Sequence, residues 1–235
     1  MRERIVVLGA GYAGLAAARG IAERTHPGSA EVVLVNARDT FTERVRLHQV
    51  ASGQHVRQRP IAELLGGAPV RFVAARVTGI DAERREVRLA PADGAAADGA
   101  AADGAAADGS LPYDTLVYAL GSRADPGAVP GAAEHAYPVA TAEDADRLRD
   151  RLAGLAAGDA VAVVGGGLTG IETATELAET RPELTVRLLT SGPFGAAFSA
   201  RGRAHLRRSF DRLGIEVRDG VRVTAVSPDG AVLEG

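Results

Sequence analysis

Short runs of apolar, mostly β-branched residues alternate along the chain with alanine-rich or charged stretches. The runs at 5–8 and 31–35 are typical of strands buried on both faces of a parallel sheet. The alanine-rich stretch between them predicts a helix to about Arg24, which the segment 26–29 ends. Together they predict two parallel strands joined by a right-handed helical crossover.

The same pattern returns later in the chain. An apolar run at 160–164 is followed by a glycine turn, a helical stretch at 171–180 and a second apolar run at 184–189. The chain therefore contains two copies of one supersecondary unit, too far apart for a solenoid repeat.

The residues between the copies predict the domain organisation. A β-meander at 70–89 and a strand at 115–120 precede a connector rich in proline and glycine, at 124–138. A helix follows to about residue 155, with Thr141 as its N-cap. We expect an N-terminal domain at 1–124, a linker at 125–140 and a C-terminal domain at 141–235.

A low-complexity segment at 92–110 repeats Asp-Gly every five residues, from Asp93 to Asp108. This spacing supplies no bidentate carboxylate to close a calcium site. The segment is therefore interpreted as an expanded hairpin loop.

Both copies carry G-x-G-x-x-G between the strand and the helix. The first glycine permits the tight turn, the second admits a pyrophosphate to the backbone, and the third permits close helix packing. The helix N-terminus then presents free N–H groups to an anion. The alternative is that the turns only connect elements. The glycines are Gly9, Gly11 and Gly14 in the first turn, and Gly165, Gly167 and Gly170 in the second.

The residues after the second strand of each copy influence which dinucleotide the turn selects. Asn36 can both accept from and donate to a ribose hydroxyl, although less strongly than a carboxylate binds. Thr190 and Ser191 occupy the equivalent place in the second copy, so no acid excludes a 2′-phosphate there. Arg201 or Arg203 could reach such a phosphate, or could be solvated surface charges.

Composition excludes several chemistries. All 27 basic residues are arginine, so no P-loop lysine or Schiff-base lysine exists. The absence of cysteine excludes disulfides, redox dithiols and thiolate metal sites, and the histidines have no metal-ligand spacing. The net charge of −3 and 4% aromatic residues argue against nucleic-acid binding. No signal peptide or transmembrane span is evident, which predicts a cytoplasmic protein and leaves peripheral contact with the inner face of the membrane open.

Four segments, at 6–14, 41–49, 113–122 and 163–177, resemble the FAD/NAD(P)-binding pyridine nucleotide oxidoreductases, and within them the type II NADH dehydrogenase-like group. The resemblance implies an α/β fold with two Rossmann-like dinucleotide-binding domains and a β-meander. It also implies FAD on the first turn and NAD(P)H on the second. Family members return to complete the first domain, so we expect a C-terminally truncated chain whose FAD domain is incomplete.

The resemblance also implies the residues of each site. For FAD they are Gly9, Gly11, Tyr12, Ala13, Gly14, Asn36, Ala37, Arg46, Ala119 and Gly121. For NAD(P)H they are Gly165, Gly167, Leu168, Thr169, Gly170, Glu172 and Thr190. No metal ligand is expected.

Two residues are candidates for the catalytic centre. Glu172 matches the family's acid near the nicotinamide, or is a carboxylate favoured by the helix dipole. His48, with Arg46 and Gln49, could tune the flavin or gate the electron acceptor, or belong to a plain surface helix.

Without cysteine, the dithiol reactions of the superfamily are excluded. The predicted function is hydride transfer from NAD(P)H to flavin, with electrons passing to a quinone or another small-molecule acceptor. The alternative is a truncated, catalytically inactive dinucleotide-binding protein. The oligomeric state is left open.

Deleting ten residues from the Asp-Gly segment should leave the melting temperature almost unchanged. Each doubling of a flexible loop costs only about 0.6 kcal/mol, so a shorter loop closes at least as easily. Thermal unfolding followed by circular dichroism tests this. A large drop in melting temperature would show that the segment packs against the fold.

Overall fold

The computed structural model describes residues 2–92 and 109–234. The chain divides into two compact units. Unit 1 comprises Met1–Glu43 and Arg57–Ser122, and unit 2 comprises Arg44–Val56 and Arg123–Gly235. The segment 44–56, which the sequence places in the N-terminal domain, thus belongs with the C-terminal unit.

The helices are α1 (Tyr12–Arg24), α2 (Leu47–Ala51), α3 (Ile61–Leu65), α4 (Ala132–His135), α5 (Ala142–Ala153), α6 (Leu168–Thr180) and α7 (Ala200–Leu213). The strands are β1 (Glu3–Leu8), β2 (Ala30–Asn36), β3 (Thr40–Phe41), β4 (Arg59–Pro60), β5 (Val70–Asp81), β6 (Glu86–Pro91), β7 (Ser110–Pro112), β8 (Thr115–Tyr118), β9 (Ala160–Val164), β10 (Thr185–Thr190), β11 (Glu216–Asp219), β12 (Arg222–Ser227) and β13 (Gly230–Glu234). Short 3-10 turns at Arg44–Arg46 and Pro126–Ala128 complete the described elements.

Unit 1 is built on a six-stranded sheet of order β7-β6-β5-β2-β1-β8. The strands β5, β2, β1 and β8 are parallel, and β5, β6 and β7 form the predicted antiparallel meander. Because residues 6–8 of β1 and 32–35 of β2 are covered on both faces, their side chains are apolar without alternation. One face packs Val7 and Leu34 against Ala18 of α1, and the other packs Val6 and Val33 into a second cluster.

Unit 2 has a parallel three-stranded sheet of order β11-β10-β9 and a separate β12-β13 hairpin. Its core combines residues from α5, α6, α7 and β10, including Leu148, Leu177, Phe210 and Leu188. Leu47 of α2 is 3% exposed in the same core. Burial of its apolar residues therefore holds the segment 44–56 in this unit.

The predicted α/β fold with two Rossmann-type strand–helix–strand units is confirmed. The predicted helix after residue 141 is α5, and Thr141 caps it by accepting from the backbone N–H of Asp144. Asp144 in turn accepts from the Thr141 N–H, which completes a capping box. The predicted connector contains α4 and one 3-10 turn. The Asp-Gly residues 93–108 lie outside the described residues.

In the part of the chain that the structure describes, no helix is both long and apolar enough to traverse a bilayer.

Glu31 of β2 connects three neighbouring strands of unit 1. Its two oxygens accept from Arg4 Nε of β1 and Arg71 Nε of β5, each at 2.8 Å. Partial burial raises the pKa of the Glu31 carboxyl, but the bonds from the two arginines outweigh it and lower the pKa below the ordinary 4.5. A carboxyl whose pKa is lower in the folded state contributes stability above its unfolded pKa and loses it as the pH falls through the folded value.

Glu31→Gln should lower the free energy of unfolding at pH 7 by about 1 kcal/mol, because both charge-assisted bonds weaken. The loss should shrink as the pH falls below about 4.5, where the wild-type carboxyl also protonates. Urea unfolding at pH 7 and pH 3 measures both effects. Glu23→Gln is the control, since Glu23 forms a single exposed i,i+4 pair with Arg19. Equal losses for the two variants would contradict the prediction.

Candidate functional site

The first glycine turn is held against the strand that follows the meander. Gly9 has φ +91°, a conformation that favours glycine, and an added Cβ would lie 2.4 Å from Ala119 O. A Cβ on Gly14 would lie only 1.7 Å from Gly9 O. These two glycines are therefore required by the packing of the protein itself, and they bring the start of α1 to the carboxyl end of β1.

The packing of the protein does not require a glycine in the middle of the turn. Gly11 is the N-cap of α1 with φ −75°, which any residue adopts, and an added Cβ would meet nothing within 4 Å. No side chain caps α1, and its first turn contains no acid. The terminal N–H groups of α1 thus face open space in which an anion such as a pyrophosphate fits.

Asn36 secures this turn from the end of β2. Its Oδ1 accepts from the Ala10 N–H at 3.0 Å, and its Nδ2 donates to Arg38 O at 2.8 Å. The carboxamide predicted to bind a ribose is thus already engaged at both ends. One further N–H and one oxygen lone pair remain for a ligand.

The structure locates the other predicted FAD residues as follows. Tyr12, the first residue of α1, is 50% exposed and packs edge-on against Phe41. Ala13 is exposed and Ala37 is half-buried, whereas Gly121 follows β8 with φ +76°. Arg46 lies in unit 2, where its Nε donates to Gln49 Oε1 at 2.7 Å.

The second glycine turn repeats the geometry of the first. A Cβ on Gly170 would lie 1.9 Å from Gly165 O, whereas one on Gly167, the N-cap of α6, would meet nothing within 4 Å. Again no side chain caps the helix. Thr190 at the end of β10 packs on this turn, because its Oγ1 would lie 2.6 Å from a Cβ on Gly166.

A cavity of about 320 Å³ adjoins the start of α6 within unit 2. Its apolar wall includes Leu168, which is 64% exposed, and its polar wall includes Thr169, Glu172 and His48. The remaining lining residues are Arg44, Val45, Leu47 and Val139. The cavity is thus open, lined by both apolar and polar side chains, and next to the helix N-terminus, which suits one end of a dinucleotide.

His48 is well buried, with its side chain only 13% exposed. Its Nδ1 lies 3.9 Å from Glu172 Oε2, and its Nε2 lies 3.8 Å from Glu176 Oε2. The helix α2 that carries it packs against α5 and α6. One face of α2 therefore lies in the core of unit 2, and both interpretations of His48 stay predictions.

Sequence reasoning missed two members of this polar group. Glu176 lies one helical turn after Glu172, so the i,i+4 spacing on α6 was a signal that both share one face. Gln54, whose Nε2 donates to Glu176 Oε1, carried no comparable signal. Within the described residues, no group of three or more His, Cys, Asp or Glu side chains could hold a metal ion.

Residues 3–235 match the family model for pyridine nucleotide-disulphide oxidoreductases. With its two glycine turns on Rossmann-type units, the chain belongs to this family.

The named relatives show which members of the family are similar to the chain in sequence. The chain is 36% identical to an NADH dehydrogenase-like protein of Mycobacterium tuberculosis, with 98% of this chain and 58% of the relative covered. It is 30% identical to a demethylphylloquinone reductase of Synechocystis sp., over 99% of this chain and 57% of the relative. The chain therefore spans somewhat more than half the length of the curated relatives it matches.

Solved structures agree at the level of the fold. The structure of NDH2 from Plasmodium falciparum in complex with NADH superposes with a TM-score of 0.78 at 20% identity. The alignment covers 100% of this chain and 51% of that one.

The two kinds of glycine predict opposite changes in stability. Gly14→Ala should cost about 3 kcal/mol or more, since its Cβ overlaps a backbone oxygen. Gly11→Ser should instead keep the stability or raise it by roughly 0.3 kcal/mol, because serine is a slightly better N-cap than glycine and has room there. Urea unfolding of both variants checks this. A large loss in Gly11→Ser would show that Gly11 serves the fold and not a ligand.

Proposed function

We propose that the chain is the dinucleotide-binding part of a flavin-dependent NAD(P)H oxidoreductase, with FAD on unit 1 and NAD(P)H on unit 2. The observation that carries the proposal is the pair of middle glycines, Gly11 and Gly167. Each caps a helix without a side chain and leaves open space where a Cβ would project. Two helices left uncapped in the same way fit two pyrophosphates.

On unit 1, the N–H groups at the start of α1 would bind the FAD pyrophosphate, and Asn36 would hold the turn that presents them. The close approach of Gly9 to Ala119 brings the strand end of β8 beside that turn. Ala37, which follows Asn36, would lie by the adenosine end.

On unit 2, Gly167, Leu168 and Thr169 would hold the NAD(P)H pyrophosphate at the start of α6. The cavity would take the nicotinamide end, with Leu168 as an apolar wall. Glu172 would accept a hydrogen bond from the carboxamide NH₂ of the nicotinamide, which orients the ring. Thr190 would contact the adenosine ribose without an acid to exclude a 2′-phosphate.

The two cofactors supply hydride chemistry, which requires no protein acid or base. The residues of the chain therefore bind and orient the two cofactors and exclude water from them. Arg44 and Glu172 place opposite charges on the lining of the cavity, and Val45 and Val139 add apolar side chains to it.

We further propose a quinone as the electron acceptor. The support comes from relatives named a demethylphylloquinone reductase and a type II NADH:quinone oxidoreductase. The latter, from Staphylococcus haemolyticus, shares 29% identity over 78% of this chain. Because a quinone of this kind is lipid-soluble, the proposal also implies that the protein works at a membrane surface, and we propose the inner face.

A crossed pair of variants tests the two sites. Gly11→Val should remove FAD, measured by flavin absorbance near about 450 nm after reconstitution, and leave NAD(P)H binding intact. Gly167→Val should weaken NADH and NADPH binding and leave the flavin content unchanged, because each new side chain crowds one pyrophosphate. Wild-type flavin content in Gly11→Val, or wild-type chain that cannot be reconstituted with FAD, would contradict the proposal.

A further inference from the structure

Four polar side chains of unit 2 form a row that ends at the cavity. Gln54 donates to one oxygen of Glu176, and the other oxygen of Glu176 lies 3.8 Å from His48 Nε2. The opposite ring nitrogen, Nδ1, lies 3.9 Å from Glu172. The row therefore links Gln54, on the segment 44–56, to the carboxylate at the cavity wall.

Burial differs between the middle of the row and its ends, Gln54 and Glu172, which are both exposed. The Glu176 and His48 side chains are 12% and 13% exposed, whereas the Glu172 side chain is 50% exposed. A buried carboxylate needs partners to offset its desolvation, and Gln54 and His48 supply them to Glu176. The middle of the row, Glu176 and His48, is thus held by its neighbours, and Glu172 is the member whose exposed carboxylate lines the cavity.

The backbone on both sides of the row is also held in place. Leu47 and Ala51, on either side of His48, are buried in the core of unit 2. Glu172 and Glu176 are four residues apart on α6, where like charges repel. The imidazole lies between the two carboxylates, with one ring nitrogen facing each.

We propose that His48 is a positioning residue that holds the Glu172 carboxylate at the cavity wall, where it orients the nicotinamide. The inference rests on the function proposed above. His48 acts through Glu172, and Glu176 and Gln54 fix the ring from behind. This role is distinct from tuning the flavin or gating the acceptor.

A double-mutant cycle on the full chain tests the linkage. Fluorescence titration gives the Kd for NADH and NADPH in the wild type, His48→Leu, Glu172→Gln and the double variant. Each single variant should weaken binding by about tenfold, and the double should lose no more than Glu172→Gln alone, because His48 acts only through Glu172. Glu179→Gln, an exposed acid on the same helix, is the charge-matched control and should bind as the wild type does.

A second cycle keeps the test valid if His48→Leu fails to fold. Glu176→Gln preserves the shape of the side chain but weakens the anchor of the ring, and it should weaken binding by about threefold only when Glu172 is present. Additive losses in either cycle, or wild-type affinity in His48→Leu, would overturn the positioning role alone. A wild-type chain that binds neither nucleotide would overturn the proposed function as well, so the two failures are distinguishable.

Discussion

The close contact between each glycine turn and the start of its helix is the constraint on which the rest of the molecule depends. The third glycine of each turn, Gly14 or Gly170, would place a Cβ within 2 Å of the carbonyl oxygen of the first, Gly9 or Gly165. Only the missing side chain allows α1 and α6 to begin directly at the carboxyl ends of β1 and β9. The N-terminal N–H groups of each helix then lie at its own glycine turn, where such groups can bind a phosphate.

The glycines of this short motif serve two different purposes, packing of the fold and access for a ligand. The outer glycines serve the fold, because Gly9, Gly14 and Gly170 have no room for a Cβ and Gly165 has φ +116°, which favours glycine. The middle glycines, Gly11 and Gly167, cap their helices without a side-chain hydrogen bond, whereas Thr141 and Ser199 cap α5 and α7 with one. Among the described helices of twelve or more residues, the two that lack a side-chain cap are therefore the two that face the proposed cofactors, as expected where stability and ligand access compete.

Unit 2 combines the second turn with a polar group from a distant part of the chain. The segment 44–56 carries Leu47 and Ala51 into the core of this unit and brings His48 beside α6. The cavity wall thus joins residues that lie more than a hundred positions apart in the sequence.

The amino-acid sequence by itself determined both strand–helix–strand units, the glycine turns and the capped helix after Thr141, because these features follow from local periodicity, turn chemistry and capping. It did not determine that the segment 44–56 joins unit 2 or that the Asn36 carboxamide accepts a hydrogen bond from the glycine turn. Nor did it determine that Gln54 and Glu176 lie beside His48. Those features depend on which apolar residues pack into the same core and on which polar groups this packing brings into contact. Only the tertiary structure decides them, since the spacing of residues along the chain indicates neither the shared core nor the polar contacts.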